Sequence, residues 1–188
     1  MELLGIFSAF GLSASAGLNA YIPLLVVGVI AHYTDWITLN PPFDTLANPW
    51  ILILLGILLI IEMLADKVPA VNHINDIIQT IIRPAAGAII FAASAKVITD
   101  IHPVLALACG LMIAGGVHVV KAGAVRPAVT ATTGGAGNVP VSILEDVVAT
   151  VLSILSVVIP ILVGAFVVLF TALIVWWLWR RANSAKQV

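Results

Sequence analysis

The polar residues best suited to binding a ligand are concentrated in residues 125–146, which read VRPAVTATTGGAGNVPVSILED. Lys121 and Arg126 stand at the start of this stretch, Glu145 and Asp146 end it, and long apolar segments flank it on both sides. Where such segments cross a bilayer, irregular backbone is tolerated only if it is buried in protein or lines a wet cavity. The stretch is therefore predicted to form a binding site.

Glycines and hydroxyls in this stretch indicate how a ligand would be held. Gly134, Gly135 and Gly137 let the backbone turn and approach a ligand closely. The freed N–H groups and the neighbouring polar side chains could hold an anion or a dehydrated polar solute. The side chains assigned to this part of the site are Thr130, Thr132, Thr133 and Asn138. The segment TTGGAGN lacks the following Lys-Ser/Thr and the preceding strand of a phosphate loop, so it does not indicate nucleotide binding.

A second polar segment near the N-terminus has a similar pattern. Residues 13–17 read SASAG and are followed by Asn19 and Pro23, while residues 130–134 read TATTG and are followed by Asn138 and Pro140. The hydroxyl, Ala, Gly and Pro positions recur at equal offsets, which indicates either an internal repeat, with inverted halves 1–98 and 99–188, or a chance match. We expect broken or re-entrant helices at 13–19 and 130–138 to meet near the middle of the bilayer. The alternative for 13–19 is a continuous helix that packs closely through small residues. The site residues contributed by the first segment are Ser13, Ser15 and Asn19.

Charged residues near the membrane edge form the rest of the predicted site. Glu62 and Asp66 are four residues apart and therefore share a helical face, where they repel unless water, protons or cations separate them. The carboxylates Glu62, Asp66, Asp76, Glu145 and Asp146 could pair with Lys67, Arg83, Lys121 and Arg126. Such pairs would either line a cavity or only tie helix ends together. Coupling of transport to protons is a hypothesis based on the same carboxylates.

The motifs of several enzyme classes are absent. The sequence has no paired-histidine metal motif, nucleophile elbow or Walker loop, and no cofactor or metal is predicted. His118 is expected to hydrogen-bond between helices. An alternative places a divalent metal at the cytoplasmic face, with the ligands Asp66, His73, Asp76 and Asp146.

Composition sets the class of protein. The 188 residues are 62% hydrophobic and only 9% charged, with a mean hydropathy of +1.18. A soluble domain has about 25% charged residues, so the chain is predicted to be a polytopic all-α membrane protein. A net charge of −1 without a basic stripe gives no indication of nucleic-acid binding. Cys109 is the only cysteine, which excludes a disulfide within one chain.

Six membrane spans are predicted in a single domain. They are residues 3–31 with the break at 13–19, then 49–65, 84–98, 104–120, 141–159 and 160–179. A loop covers 32–48, and Ala106, Gly110, Ala114 and His118 share one face of the fourth span. Residues 70–83 have helical amphipathicity and are predicted to lie in the membrane interface. The alternative is that their polar face lines the mouth of a cavity.

The distribution of basic residues predicts the orientation. With both termini in the cytoplasm, seven of the eight Lys and Arg residues lie on the cytoplasmic side. These seven are Lys67, Arg83, Lys121, Arg126, Arg180, Arg181 and Lys186. The expected location is the inner, cytoplasmic membrane.

Three motifs resemble those of a family of small bacterial membrane proteins grouped as domain of unknown function 4126. They are Glu62-x-x-Ala65-Asp66-Lys67-Val68-Pro69, Arg83-Pro84-Ala-Ala-Gly87-Ala88 and Gly137-Asn138-Val139-Pro140. The resemblance covers most of the chain, and the first motif is the most specific. It implies a membrane protein and brings no assigned activity.

Together these features predict a transporter or channel for a small polar or charged solute, surrounded by membrane lipid and assembled as a homodimer. Glycine and threonine in the central stretch favour an anion, whereas the carboxylates favour a cation or proton. One alternative is a membrane-embedded enzyme acting on lipid-linked substrates. Another is a structural subunit whose polar residues only pack helices.

Overall fold

The computed structural model describes residues 2–95, 101–160, 166, 168–176 and 180, with the side chains of 2–4, 69–73 and 95 left out of the description. Within these residues the protein has seven α-helices and no strand. The helices are α1 (Glu2–Leu18), α2 (Tyr21–Tyr33), α3 (Pro49–Ala65), α4 (Pro69–Ala95), α5 (Pro103–Val120), α6 (Arg126–Thr133) and α7 (Asn138–Val158). A 3₁₀ turn (Phe43–Ala47) precedes α3, and a π-helical segment (Lys121–Val125) joins α5 to α6. Residues 168–176 are also helical.

Three helical stretches are long and apolar enough to cross a membrane: Ile74–Ser94, Pro103–Thr133 and Asn138–Val158. The surface of the bundle is apolar, with Ile81 75% exposed, whereas the charged Arg83 two residues later is 0% exposed. A water-soluble fold has the opposite distribution, because water solvates charges and excludes apolar groups. The structure therefore indicates a helical membrane protein, as the composition predicts.

The predicted break at residues 13–19 is narrower in the structure. Ser13 and Ser15 lie inside the continuous helix α1, and only Asn19 and Ala20 separate this helix from α2. Asn19 Oδ1 accepts the N–H groups of Tyr21 and Ile22 at 3.1 and 3.2 Å, which caps the first turn of α2. The two apolar pieces are therefore two separate helices that meet at a capped junction.

The prediction of a separate interfacial helix at 70–83 is wrong. Those residues and the following span form one 27-residue helix, α4, with Pro84 in its interior. Ile74 and Ile77 are exposed on the outside, while Asp76 and Arg83 turn inward. Because lipid is apolar and the bundle interior is polar here, the amphipathic pattern marks the helix face that packs inward. The alternative, in which the polar face lines the mouth of a cavity, also requires that face to point inward, and Arg83 and Asp76 do so.

A π-helical segment continues α5 into α6, so the chain is helical well beyond the predicted end at residue 120. The N–H of Arg126 donates to the carbonyl of Lys121, five residues earlier. Pro127 follows and has no N–H to offer Gly123, which removes one α-helical bond and favours local widening of the helix. Helix α6 ends at Gly134, whose φ of 62° is readily adopted only by a residue without Cβ.

Close packing of small residues joins α1, α4 and α5. A Cβ at Gly87 would collide with Ala114, and a Cβ at Gly17 would lie 2.5 Å from Val117 Cβ. The predicted face of the fourth span is confirmed, because Ala106, Gly110, Ala114 and His118 are all buried. Such small-residue contacts let helix backbones approach without the aid of the hydrophobic effect.

Helix α1 runs parallel to α5 and antiparallel to α4. Ala9 packs with Phe91 and Ala106, near the end of α4 and the start of α5, whereas the Leu18 carbonyl accepts a bond from Lys121. The beginning of α1 and Lys67 therefore lie at opposite ends of the bundle. The six-span scheme differs, since it places the N-terminus and Lys67 on the same side.

Candidate functional site

Nine charged side chains pair with one another inside the bundle, and we call them the charge network. They are Glu62, Asp66, Lys67, Asp76, Arg83, Lys121, Arg126, Glu145 and Asp146. The network contains five carboxylates and four cations. Isolated charges in a low-dielectric interior cost several kcal/mol each, so close pairing is what permits them to be there.

Asp66 is the centre of the network. Its Oδ2 lies 3.0 Å from Arg126 Nη2, 3.5 Å from Arg83 Nη2 and 3.6 Å from Lys121 Nζ. Its Oδ1 accepts a hydrogen bond from Asn75 Nδ2 at 2.7 Å. Three cations thus share one carboxylate oxygen, and each needs a further partner.

Glu145 is the second partner of two of these cations. Its Oε2 lies 2.9 Å from Lys121 Nζ and 3.0 Å from Arg126 Nη2. Arg126 also reaches Asp76, at 3.8 Å. These pairs connect α3, α4 and α7 through two cations. Lys121 is the first residue of the π-helical segment, and Arg126 directly follows the segment.

That segment explains why both cations face inward. Residues five apart on an α-helix lie about 140° apart around the axis, since each residue turns the chain by 100°. The π turn closes a ring between residues five apart and so brings Lys121 and Arg126 toward the same side. The wider π-helical turn therefore places both Lys121 and Arg126 beside the carboxylate of Asp66.

The second partner of Arg83 is Glu62, buried in α3. Glu62 Oε1 accepts from Arg83 Nη2 at 2.8 Å and from Nε at 3.2 Å. On the other side Arg83 Nη1 donates to His118 Nδ1 at 3.2 Å. Since Nδ1 accepts, the His118 proton is assigned to Nε2, which faces Thr80 Oγ1 at 3.2 Å. His118 is therefore hydrogen-bonded between helices, as predicted.

Asp146 connects the network to the junction between α1 and α2. Its Oδ1 accepts from Asn19 Nδ2 at 3.0 Å, and its Oδ2 lies 3.3 Å from Lys67 Nζ. One helical turn further along α7, Ser15 Oγ donates to the Ala149 carbonyl at 2.8 Å and lies 2.7 Å from Ser153 Oγ. The polar residues of α1 thus contact α7, while Ser13 Oγ donates to the Gly87 carbonyl of α4.

Apart from Ser13 and Ser15, the predicted site residues divide into two groups. The structure brings together Asn19, Glu62, Asp66, Asp76, Lys121, Arg126, Glu145 and Asp146. Ser13 and Ser15 are buried at the helix contacts just described. The second group lies in the glycine-rich turn and does not join the network in any contact of the described residues.

Residues of that turn are exposed and bond locally. Thr132 and Thr133 donate to the carbonyls of Ala128 and Val129 in their own helix, and Thr130 Oγ1 accepts from Asn138. Arg126 stands about eight residues before the turn, which is roughly 12 Å of helix. The expectation that the breaks at 13–19 and 130–138 converge is therefore wrong: the first meets Asp146, and the second is an exposed turn.

Several residues of the site were missing from the predicted set. Arg83 and Lys67 are predicted only as pairing partners, and Asn75, Gln79 and Thr80 are absent from the predicted site residues. Asn75, Gln79 and Arg83 follow at spacings of four and are all buried. That polar stripe is visible in the sequence, within the segment 70–83 that is predicted to lie in the membrane interface.

The alternative metal site is not supported by the described part of the chain, which holds no group of three or more potential metal-binding side chains. Asp66 and Asp146 direct their oxygens at Arg126, Lys67 and amide groups. The His73 side chain lies outside the described residues.

Four buried oxygen atoms near the network have no hydrogen-bond partner within the described residues: Glu62 Oε2, Asp76 Oδ1, Gln79 Oε1 and Ser142 Oγ. All four can accept a hydrogen bond or a cation. A buried acceptor without a partner costs about 1 to 3 kcal/mol, so these atoms are suited to a species that supplies positive charge or a proton.

A bundle with an apolar outside and a charged, paired inside defines the class: an α-helical membrane protein with a buried ionic site. The chain belongs to the family described as Domain of unknown function (DUF4126), which matches residues 6–180. No curated protein and no solved structure matches the chain.

Proposed function

We propose that the protein transports a small ion or polar solute across a membrane, as a transporter or a channel, and that the charge network is the site through which it passes. The observation that supports this most directly is the burial of seven of the nine network charges inside an apolar-surfaced bundle. Ionisable groups at such positions are expensive and usually mark an ion or substrate pathway.

The solute we propose is a cation, or a molecule that moves with one. An anion was favoured by the glycine-rich turn, but that turn is exposed and its hydroxyls are occupied locally. The carboxylates outnumber the cations of the network by one, and Glu62 Oε2, Asp76 Oδ1 and Gln79 Oε1 are buried acceptors without a partner among the described residues. Both facts favour a positive species.

Two irregular points of the backbone support a transport role. The α1–α2 junction reaches the network through Asn19, and the π-helical segment reaches it through Lys121. Transporters commonly bind ions where membrane helices are interrupted, and π segments are frequent at functional sites. Both points could change conformation without unfolding a whole helix.

In our proposal the end of the bundle that carries Lys67 faces the cytoplasm of a cell with an inner membrane, in keeping with the positive-inside rule. The beginning of α1 and the loop before α3 then face outward, which differs from the expectation of a cytoplasmic N-terminus. A homodimer in lipid remains part of the proposal, since one small chain encloses little volume.

A structural role is the second candidate, and the many short ion pairs favour it. Arg126 and Lys121 have carboxylate partners at 3.0 Å or less. In that case the network would hold helices together and no solute would cross. Flux measurements separate the two functions.

The test is reconstitution of the purified protein in liposomes, with separate flux assays for protons, Na⁺, K⁺ and chloride. We expect cation flux, and we expect Asp66→Asn to abolish it because three cations of the network lose their shared charge. The control is Asp44→Asn, the same chemical change at an exposed loop position. Folded protein that conducts none of these ions, or an Asp66→Asn variant with full flux, would contradict the proposal.

A further inference from the structure

Two buried acceptor atoms without partners belong to facing helices. Glu62 Oε2 is on α3 and Gln79 Oε1 is on α4. Gln79 stands between Asn75 and Arg83 on one face of α4, and these two contact Asp66 and Glu62 of α3. That face is therefore directed at the carboxylates of α3. Each of these buried oxygens lacks a donor among the described residues, and a proton on Glu62 Oε2 would supply one on the side that faces α4.

We propose that Glu62 reversibly binds a proton on Oε2 and that this carboxyl is the proton-coupling site of the protein. The inference rests on the proposed transport function and adds the identity of the ion. The step is the addition of one proton from water to the Glu62 carboxylate, which forms a neutral carboxylic acid. The new O–H can donate on the side of Gln79, while Oε1 keeps its bonds from Arg83.

Charge balance supports a single proton. The seven buried members of the network, four carboxylates and three cations, leave one negative charge inside the bundle, and His118 is neutral because its Nδ1 accepts from Arg83. One proton would bring the network to neutrality. A net charge is costly in an interior that is surrounded by apolar surface.

Glu62 is the carboxylate best placed to take that proton. Asp66 and Asp146 have partners at both oxygens. Asp76 has an oxygen without a partner, but its side chain is 20% exposed and water can solvate its charge. The Glu62 side chain is 1% exposed, and only one of its oxygens is paired.

The groups around Glu62 come from four sides. Arg83 of α4 is in direct contact, Asp66 lies one turn further along, Lys121 approaches from the end of α5, and Tyr21 stands on α2. When Glu62 is neutral, Arg83 loses its closest anion and keeps Asp66 at 3.5 Å and His118 at 3.2 Å. Arg83 then competes with Lys121 and Arg126 for Asp66. Protonation of Glu62 thereby weakens the ion pairs that Lys121 and Arg126 form with Asp66, next to the π-helical segment.

A metal ion would fit this position poorly. Metal cations in proteins take several oxygen ligands, whereas Arg83 occupies Oε1 of Glu62 and contributes a positive charge 2.8 Å away. A proton needs only one free oxygen.

The test is infrared difference spectroscopy on the full-length protein in lipid nanodiscs, without any ion gradient, during a change of pH. We expect the absorption of one protonated carboxyl per chain to appear as the pH falls and to be lost in Glu62→Gln, which keeps the acceptor for Arg83. Asp44→Asn should leave this absorption unchanged. A signal that persists in Glu62→Gln, or a wild-type protein without one, would overturn the inference.

A second variant covers the case in which Glu62→Gln does not fold. Glu62→Asp keeps a carboxyl but shortens it, so the frequency or the midpoint pH of the absorption must shift, and an unchanged spectrum overturns the inference. Adding Na⁺ at constant pH should not alter the signal; an Na⁺-dependent loss would indicate a metal ion instead. Because no flux is measured, this result is independent of the liposome assay: a protein that conducts but lacks the signal refutes only the assignment of Glu62.

Discussion

Asn19 Nδ2 donates to Asp146 Oδ1 over 3.0 Å, although the two residues are 127 positions apart in the chain. The same Asn19 side chain caps α2 through its oxygen. One amide therefore serves two purposes: it starts a helix and it holds a carboxylate beside Lys67. An amide suits this position because it can donate and accept at once.

Asn19→Asp should destabilise the protein more than Asn19→Ser. Aspartate keeps the capping oxygen but directs a second negative charge at Asp146, and a buried charge without compensation costs about 3 kcal/mol or more. Serine also caps and loses only the bond to Asp146, which costs about 1 kcal/mol. Thermal unfolding in detergent gives the comparison, and equal midpoints for the two variants would contradict this role of Asn19.

Arg126→Gln should be strongly destabilising, by about 3 to 5 kcal/mol, because Asp66 and Glu145 would lose a shared partner at 3.0 Å. Arg126→Lys should recover only part of this loss, since a lysine cannot present the planar guanidinium fork. Asp44→Asn, the removal of a charge at an exposed loop residue, is the control and should leave unfolding unchanged. Unfolding can be followed by circular dichroism against temperature or denaturant.

Ser15→Cys combined with Ser153→Cys should form a disulfide on mild oxidation. Their Oγ atoms are 2.7 Å apart, so the replacing sulfur atoms would lie within bonding reach. Cys109→Ala removes the one native thiol from the background. The matched control is Ser13→Cys with Ser153→Cys, because Ser13 bonds to the Gly87 carbonyl of another helix. Thiol counting or mass spectrometry reads the result, and an equal yield in the control would contradict the packing of α1 on α7.

Gly87→Ala should cost about 1 to 3 kcal/mol, because the added methyl meets Ala114 at the contact of α4 with α5. Gly116→Ala is the control on the facing helix, where an added Cβ meets nothing within 4 Å. That variant should be neutral or up to about 1 kcal/mol more stable, since alanine favours helix. The unfolding midpoints of the two variants are compared under the same conditions. A Gly87→Ala variant as stable as the wild type would contradict the close contact between α4 and α5.

Our proposed orientation makes a labelling prediction in the Cys109→Ala background. Asp44→Cys, in the loop before α3, should react with a membrane-impermeant thiol reagent on intact cells. Ala136→Cys, in the exposed turn before α7, should react only after the membrane is permeabilised. The reverse pattern would place the Lys67 end of the bundle outside.

Composition and small-residue spacing were sufficient to predict much of the fold. High hydropathy indicated the class, and the buried face of α5 from Ala106 to His118 follows directly from spacing at four residues. The same reasoning failed for α4. Its amphipathic first half was interpreted by rules for a helix lying at an interface, but in a bundle with a polar interior the hydrophilic face points inward.

The charged part of the site was predicted better than the uncharged part. Glu62, Asp66 and Arg126 had to find partners because burying a lone charge is prohibitive. The threonines from Thr130 to Thr133 had no such requirement, since a hydroxyl can bond to the carbonyl of its own preceding turn. The π-helical segment was not predicted either, although Pro127 gives a local reason for it.

The close contact between α4 and α5 at Gly87 and Ala114, which we call the seam, restricts how the protein can move. Gly87 and Ala114 bring the two backbones into close contact, so we expect α4 and α5 to rotate or tilt together as one body rather than slide past each other. Any alternating motion then has to occur against α3 and α7, the two helices that face this body across the ion pairs. Transport, if driven by such a motion, would exchange salt-bridge partners while leaving the seam untouched.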